Sequence, residues 1–118
     1  MGLVVIGLIS DQHIHQDRRL GLLEDRKDLE LKDLEILFQH VIEEHDKQIK
    51  KWGVQSATLA EWMLWATEEF GELAQAIGDA SYRGHPWKKA YKEAIQTTTL
   101  ILKIAEIIRN ISLLGDGE

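Results

Sequence analysis

The stretch EWMLWATEEFGELAQAIGDA, residues 61–80, sets Glu61, Glu68, Glu69, Glu72 and Asp79 in one run with Trp62 and Trp65. It holds no proline, and its apolar residues recur at three- and four-residue steps, the pattern of an amphipathic helix. What the carboxylates do depends on where they point. Each helical residue turns about 100° from the last. With Glu72 at zero, the arc of Leu59, Trp62, Ala66, Phe70, Leu73 and Ile77 centres about 130° away. Glu69, at about 60°, lies between Glu72 and that arc. Glu61, Glu68 and Asp79 fall on the far side, where a solvated face is the ordinary reading.

A second helix sharpens the question. With Glu93 at zero, Leu100, Ile104, Ile107 and Ile111 all fall within about 40°. Glu93 thus lies in line with the most apolar stripe of the chain, with Gln96 and Thr97 flanking it one turn on. A carboxylate there is costly unless it is paired or bound. An i, i+4 ion pair with Lys89, or a position near the helix start where the bundle is still open, is the plain alternative. Glu69, Glu72 and Glu93 together would form a cluster between two antiparallel helices, and its mutual repulsion calls for a cation. Oxygen-only ligands suit magnesium or manganese, which retain waters and pair with phosphate-bearing substrates. A di-iron bundle needs Glu-x-x-His pairs, and no histidine here has glutamate three positions before it.

The expected fold is all-α. Leu31, Leu34, Phe38, Val41, Ile42, His45, Ile49 and Trp52 make one apolar stripe on a first helix from about Lys27 to Trp52, stopped by Gly53. The second helix starts near Thr58, where Thr58 and Glu61 resemble a capping pair, and ends near Tyr82 before Gly84. Pro86 suits the first turn of a third, which reaches about Leu114 and stops at Gly115. Its apolar arc (Leu100, Ile101, Leu102, Ile104, Ala105, Ile107, Ile108, Ile111) is too wide for two neighbours to cover. The expectation is therefore a four-helix-bundle core completed by a second chain, in a homodimer or homotetramer. Residues 1–25 read as an N-terminal extension, 26–115 as the helical domain and 116–118 as a loose tail.

Composition excludes several classes. A net charge of −6 and a pI near 5.3 argue against coating a nucleic-acid polymer. The absence of cysteine rules out disulfides, thiolate metal sites and cysteine nucleophiles, and fits a cytoplasmic address. The opening MGLVVIGLIS lacks a basic start and is too short to span a membrane. His13 and His15, two residues apart, fit a metal pair on a strand less well than a solvated loop.

In these acidic motifs the chain resembles the MazG-like all-α nucleoside triphosphate pyrophosphatases over roughly residues 35 to 110. That family carries Glu-Glu-x-x-Glu on one helix and Glu-x-x-Asp on the next. Here the first stands as EEFGE, Glu68 to Glu72, followed by a family-like LAQAI; the second stands as EAIQ, Glu93 to Gln96; KKWGVQS precedes them. The resemblance implies magnesium-dependent hydrolysis of a nucleoside triphosphate to the monophosphate and pyrophosphate. It implies that Glu69, Glu72 and Glu93 bind metal and that Glu68 orients water. Gln96 replaces the family's aspartate, offering a neutral carbonyl oxygen in place of an anionic one, with Asp79 as a possible substitute.

The substrate-binding candidates come from position. Trp65 lies between the angles of Glu72 and Glu69 and is placed to stack on a base. Trp52, His45 and Gln48 share an interior-facing side of the first helix and are placed to read base edges. Core packing is the alternative for the tryptophans and for His45. Lys88, Lys89 and Lys92, with Arg83, are either phosphate contacts or a solvated basic end. The competing functional class is a non-catalytic nucleotide-binding or interaction module of the same fold, motivated by Gln96.

Overall fold

A computed structural model of the protein describes residues 28–115. The expectations for residues 1–25 and 116–118 lie outside the described residues. The described chain is three helices: α1 (Leu31–Trp52), α2 (Leu59–Tyr82) and α3 (Trp87–Gly115). No described helix is long and apolar enough to cross a membrane.

The helix ends follow local chemistry. Before α1, Glu30 holds extended backbone (φ −95°, ψ 148°), so the helix begins at Leu31 rather than near Lys27. Gly53 ends it at φ 74° while its N–H bonds Ile49 O at 2.8 Å, a positive φ that suits glycine. Thr58 caps α2 through a full capping box: its Oγ1 accepts from Glu61 N at 3.1 Å, and Glu61 Oε1 accepts from Thr58 N at 2.9 Å. That second bond holds the Glu61 carboxyl below its usual range. After α2, Gly84 turns the chain at φ 70°, and Pro86 stands directly before α3.

Cross-contacts set the directions. Trp62 packs on Ile104, and Glu72 approaches Glu93, so α2 and α3 run antiparallel. His40 meets Tyr91 and Gln48 meets Lys103, so α1 runs parallel to α3. The central helix is α3, packed along α2 and less extensively on α1. Trp62, Ala66 and Ile104 form the buried centre, with Leu59, Trp65, Leu100 and Ile107 against it. The buried Thr99 and Thr97 keep their hydroxyls satisfied by donating to Ile95 O and Glu93 O, each at 2.8 Å.

The face of α1 turned to its neighbours differs from the expected stripe. Val41 is buried and Leu34 and Ile49 half-buried, but Leu31, Phe38, Ile42 and Trp52 are exposed. Leu37, Glu44 and Gln48 are half-buried instead. The inward line is therefore Leu34, Leu37, Val41, Glu44 and Gln48, rotated off the apolar stripe. On α3, Ile101, Leu102, Ile108 and Ile111 are exposed within this single chain, as a wide apolar arc with two neighbours requires.

Candidate metal and nucleotide site

Glu69 and Glu72 stand three residues apart on α2, which brings both to one side of the helix. Glu93 reaches them from α3. One carboxylate oxygen from each lies within 4.8 Å of the others. Glu69 and Glu93 are half-buried and Glu72 is exposed. Glu69 Oε2 and Glu93 Oε2 are closed off from solvent and accept no hydrogen bond. No ion pair joins Lys89 to Glu93 among the described residues, so that branch of the plain alternative does not form.

Electrostatics follow from that crowding. Burial first, then the charge of Glu72, then hydrogen bonding to Glu93 and its charge, push the Glu69 carboxyl from 4.5 up to about 7. Desolvation and like charge both disfavour the ionised form. A hard cation reverses both effects, and an all-oxygen set with orphaned acceptors is what such a cation binds.

Beside the triad opens a cavity of about 790 Å³ between α1, α2 and α3. Trp52, Trp62, Trp65, Glu69, Gln48 and Lys103 contribute to its wall, and His45 stands at its edge. Trp62 and Trp65 meet edge to face, with ring centroids 5.1 Å apart. Trp65 is half-buried, whereas Trp52 is 61 % exposed. A smaller recess of about 300 Å³ brings together Glu69, Gln96, Lys92 and Glu44. Lys89 and Lys92 are exposed and line a third hollow with Glu93.

Several expected residues sit elsewhere or differently. Glu68 is exposed and outside the triad, about 100° round the helix from Glu69 and about 40° from Glu72. Asp79 is no substitute ligand: its Oδ1 accepts from Arg83 Nη1 at 2.8 Å, and its Oδ2 lies 3.9 Å from His85. Arg83 is held at that α2 terminus as well, away from the carboxylates. His45 is exposed rather than a core histidine.

Two residues escaped sequence reasoning. Lys103 Nζ donates to Gln48 Oε1 at 2.7 Å and stands 5.3 Å over the Trp62 ring. Glu44 accepts from Gln48 Nε2 at 3.0 Å. The signal for Lys103 was present: Gln96, Leu100, Lys103 and Ile107 follow one another at steps of four, three and four residues, a single helical line. Trp62, assigned to the core, serves both core and cavity wall.

Compared with protein-family models, with curated proteins and with solved structures, the chain matches none of them.

Proposed function

We propose that this protein hydrolyses a nucleoside triphosphate to the monophosphate and pyrophosphate with a divalent cation, magnesium or manganese. The observation that carries the reading is the convergence of Glu69, Glu72 and Glu93 within 4.8 Å, with two buried, unpartnered oxygens, at the wall of a tryptophan-lined cavity. A purely structural helix would place leucine at position 93.

Glu69, Glu72 and Glu93 would hold the cation, and Gln96 lines the adjoining recess. A cation held there supplies Lewis-acid polarisation of phosphate oxygens and a water of lowered pKa. Trp52 and Trp65 line that cavity and would stack on a base, an arrangement aromatic side chains favour. His45 and Gln48 border the same space and would meet base edges. Lys89 and Lys92 set positive charge on the Glu93 side, where phosphates would lie. Glu68, exposed beside the triad, would orient the attacking water. That water would add its oxygen to phosphorus and release a proton to solvent as the bond to the departing pyrophosphate breaks.

The exposed apolar residues of α1 and α3 support a homodimer or homotetramer in which a second copy completes a four-helix core. A nucleotide substrate is in keeping with the cytoplasm. The second reading, a nucleotide-binding module without turnover, draws on Gln96, which removes one anionic donor.

The test is a panel of nucleoside triphosphates with magnesium, scored for pyrophosphate release. Turnover by the wild-type chain and its loss in Glu69→Gln, with helicity unchanged, supports the enzyme. No release from any triphosphate, with activity appearing in Gln96→Asp, establishes the binding module instead. Full activity in Glu69→Gln overturns the site assignment.

A further inference from the structure

Lys103 is the lysine that lines the large cavity, its amine over the Trp62 ring, while Lys51 covers the Trp52 ring at 4.8 Å. The position of Lys103 is fixed from behind. Glu44 accepts from the Gln48 amide nitrogen at 3.0 Å, and the Gln48 amide oxygen accepts from Lys103 at 2.7 Å. An ammonium has three N–H donors, and Gln48 is the hydrogen-bond partner of Lys103 among the described residues. Two donors remain to be met beside the Trp62 ring, 5.3 Å away. Partial burial lowers the Lys103 pKa from its ordinary 10.5, and Glu44 opposes that shift.

Lys92 and Lys103 divide the site between them. Lys92 shares a recess with Glu69 and Gln96 and a hollow with Glu93, on the carboxylate side. Lys103 shares the aromatic cavity with Trp52, Trp62 and Trp65, and with Glu106 and Glu69. If a nucleotide lies with its phosphates toward the carboxylates, its base lies among the rings, and the base edge meets Lys103. Bases differ in what they present there. Guanine O6 and thymine or uracil O4 are acceptors, whereas adenine N6 and cytosine N4 carry amino donors. An amino donor facing a cation leaves the cation unpaired and desolvated, which is costly.

We propose that Lys103, braced by Gln48 and Glu44, selects the base, so that the cavity takes oxo-edged nucleotides (uracil, thymine, guanine) in preference to amino-edged ones (cytosine, adenine). The inference rests on the nucleotide reading of the site but not on turnover.

The test is binding without metal or hydrolysis, using the full chain and quenching of tryptophan fluorescence. Uridine and cytidine monophosphates form one size-matched pair, guanosine and adenosine monophosphates the other. The expected result is about tenfold tighter binding of the oxo member in each pair, the scale of one charge-assisted hydrogen bond. Lys103→Met, similar in length and uncharged, should lower binding of the oxo member to that of its amino partner. The proposal is overturned if the wild type binds both members of each pair equally, if it binds no monophosphate, or if Lys103→Met keeps the preference. It is equally overturned if Lys103→Met weakens all four alike, since that is the behaviour of a phosphate contact. The wild-type comparison decides alone should the variant fail to fold. Base preference without pyrophosphate release from any triphosphate would sink the enzyme reading and leave this one standing. Pyrophosphate release without base preference would do the reverse.

Discussion

Glu69 concentrates the tension of the site. Its carboxyl is raised from 4.5 to about 7 by burial and by Glu72, so the folded chain holds this proton more tightly than the unfolded one. The favourable contribution is complete below about 4.5 and is lost as pH rises through about 7. Metal-free wild-type protein should therefore have a lower Tm at pH 8 than at pH 5.5. Glu69→Gln, which carries no charge at either pH, should lose most of that slope in a calorimetric scan. Magnesium at pH 8 should raise the Tm of the wild type and have much less effect on Glu69→Gln. An unchanged slope in the variant would place the repulsion elsewhere. Gln96→Asp adds an anionic oxygen to the recess shared with Glu69, so the magnesium-induced rise in Tm should be larger than in the wild type. Glu93 was legible in the sequence because a carboxylate on an apolar line is costly and calls for a reason. Lys103 was legible only as a position on the line of Gln96, Leu100 and Ile107; its role was not, because its partner Gln48 belongs to α1, whose rotation no helical count on α3 can supply.

At the scale of the element, α2 is the best specified. Both bonds of its capping box are made by side chains at fixed spacing, which is why the Thr58 start could be read directly. Thr58→Ala removes the acceptor for Glu61 N and should cost about 1 kcal/mol, seen as a lower urea midpoint at unchanged m. A variant with the wild-type midpoint would show that tertiary packing alone fixes this end. The α1 case runs the other way. Its apolar stripe was plain, yet Leu31, Phe38, Ile42 and Trp52 are exposed while Glu44 and Gln48 turn toward α3. Periodicity shows that a face is apolar; it does not say which neighbour covers it. The polar residues α1 does turn inward are those that brace Lys103, so its rotation builds the cavity at the expense of apolar burial within one chain.

At the scale of the whole molecule, the exposed apolar surface becomes the dominant quantity. Away from the triad, α2 and α3 form a groove of about 530 Å³ lined by Met63, Phe70, Ile101 and Leu102. Phe70 is 44 % exposed and Ile101 47 %. Farther along α3, Ile108, Ile111 and Leu114 are also open. Apolar area left in water forgoes about 25 cal/mol for each Å², and contiguous patches of this kind mark association surfaces. A second copy of the same chain presents the same residues, so a two-fold pairing is self-complementary. Sedimentation at micromolar concentration should therefore give a species at least twice the 13.5 kDa chain mass. Ile101→Glu sets a charge in the middle of the groove, where pairing would bury it without a partner, and should shift the protein toward monomer. Because position 101 lies about 80° round α3 from Glu93 and lines the groove rather than the triad, the same variant should leave Glu69, Glu72 and Glu93 able to converge, and its magnesium-induced rise in Tm should persist. A wild type that sediments as a monomer with full helicity would remove the argument for a shared core. An Ile101→Glu that stays associated would move the interface from this groove to the exposed stripe of α1.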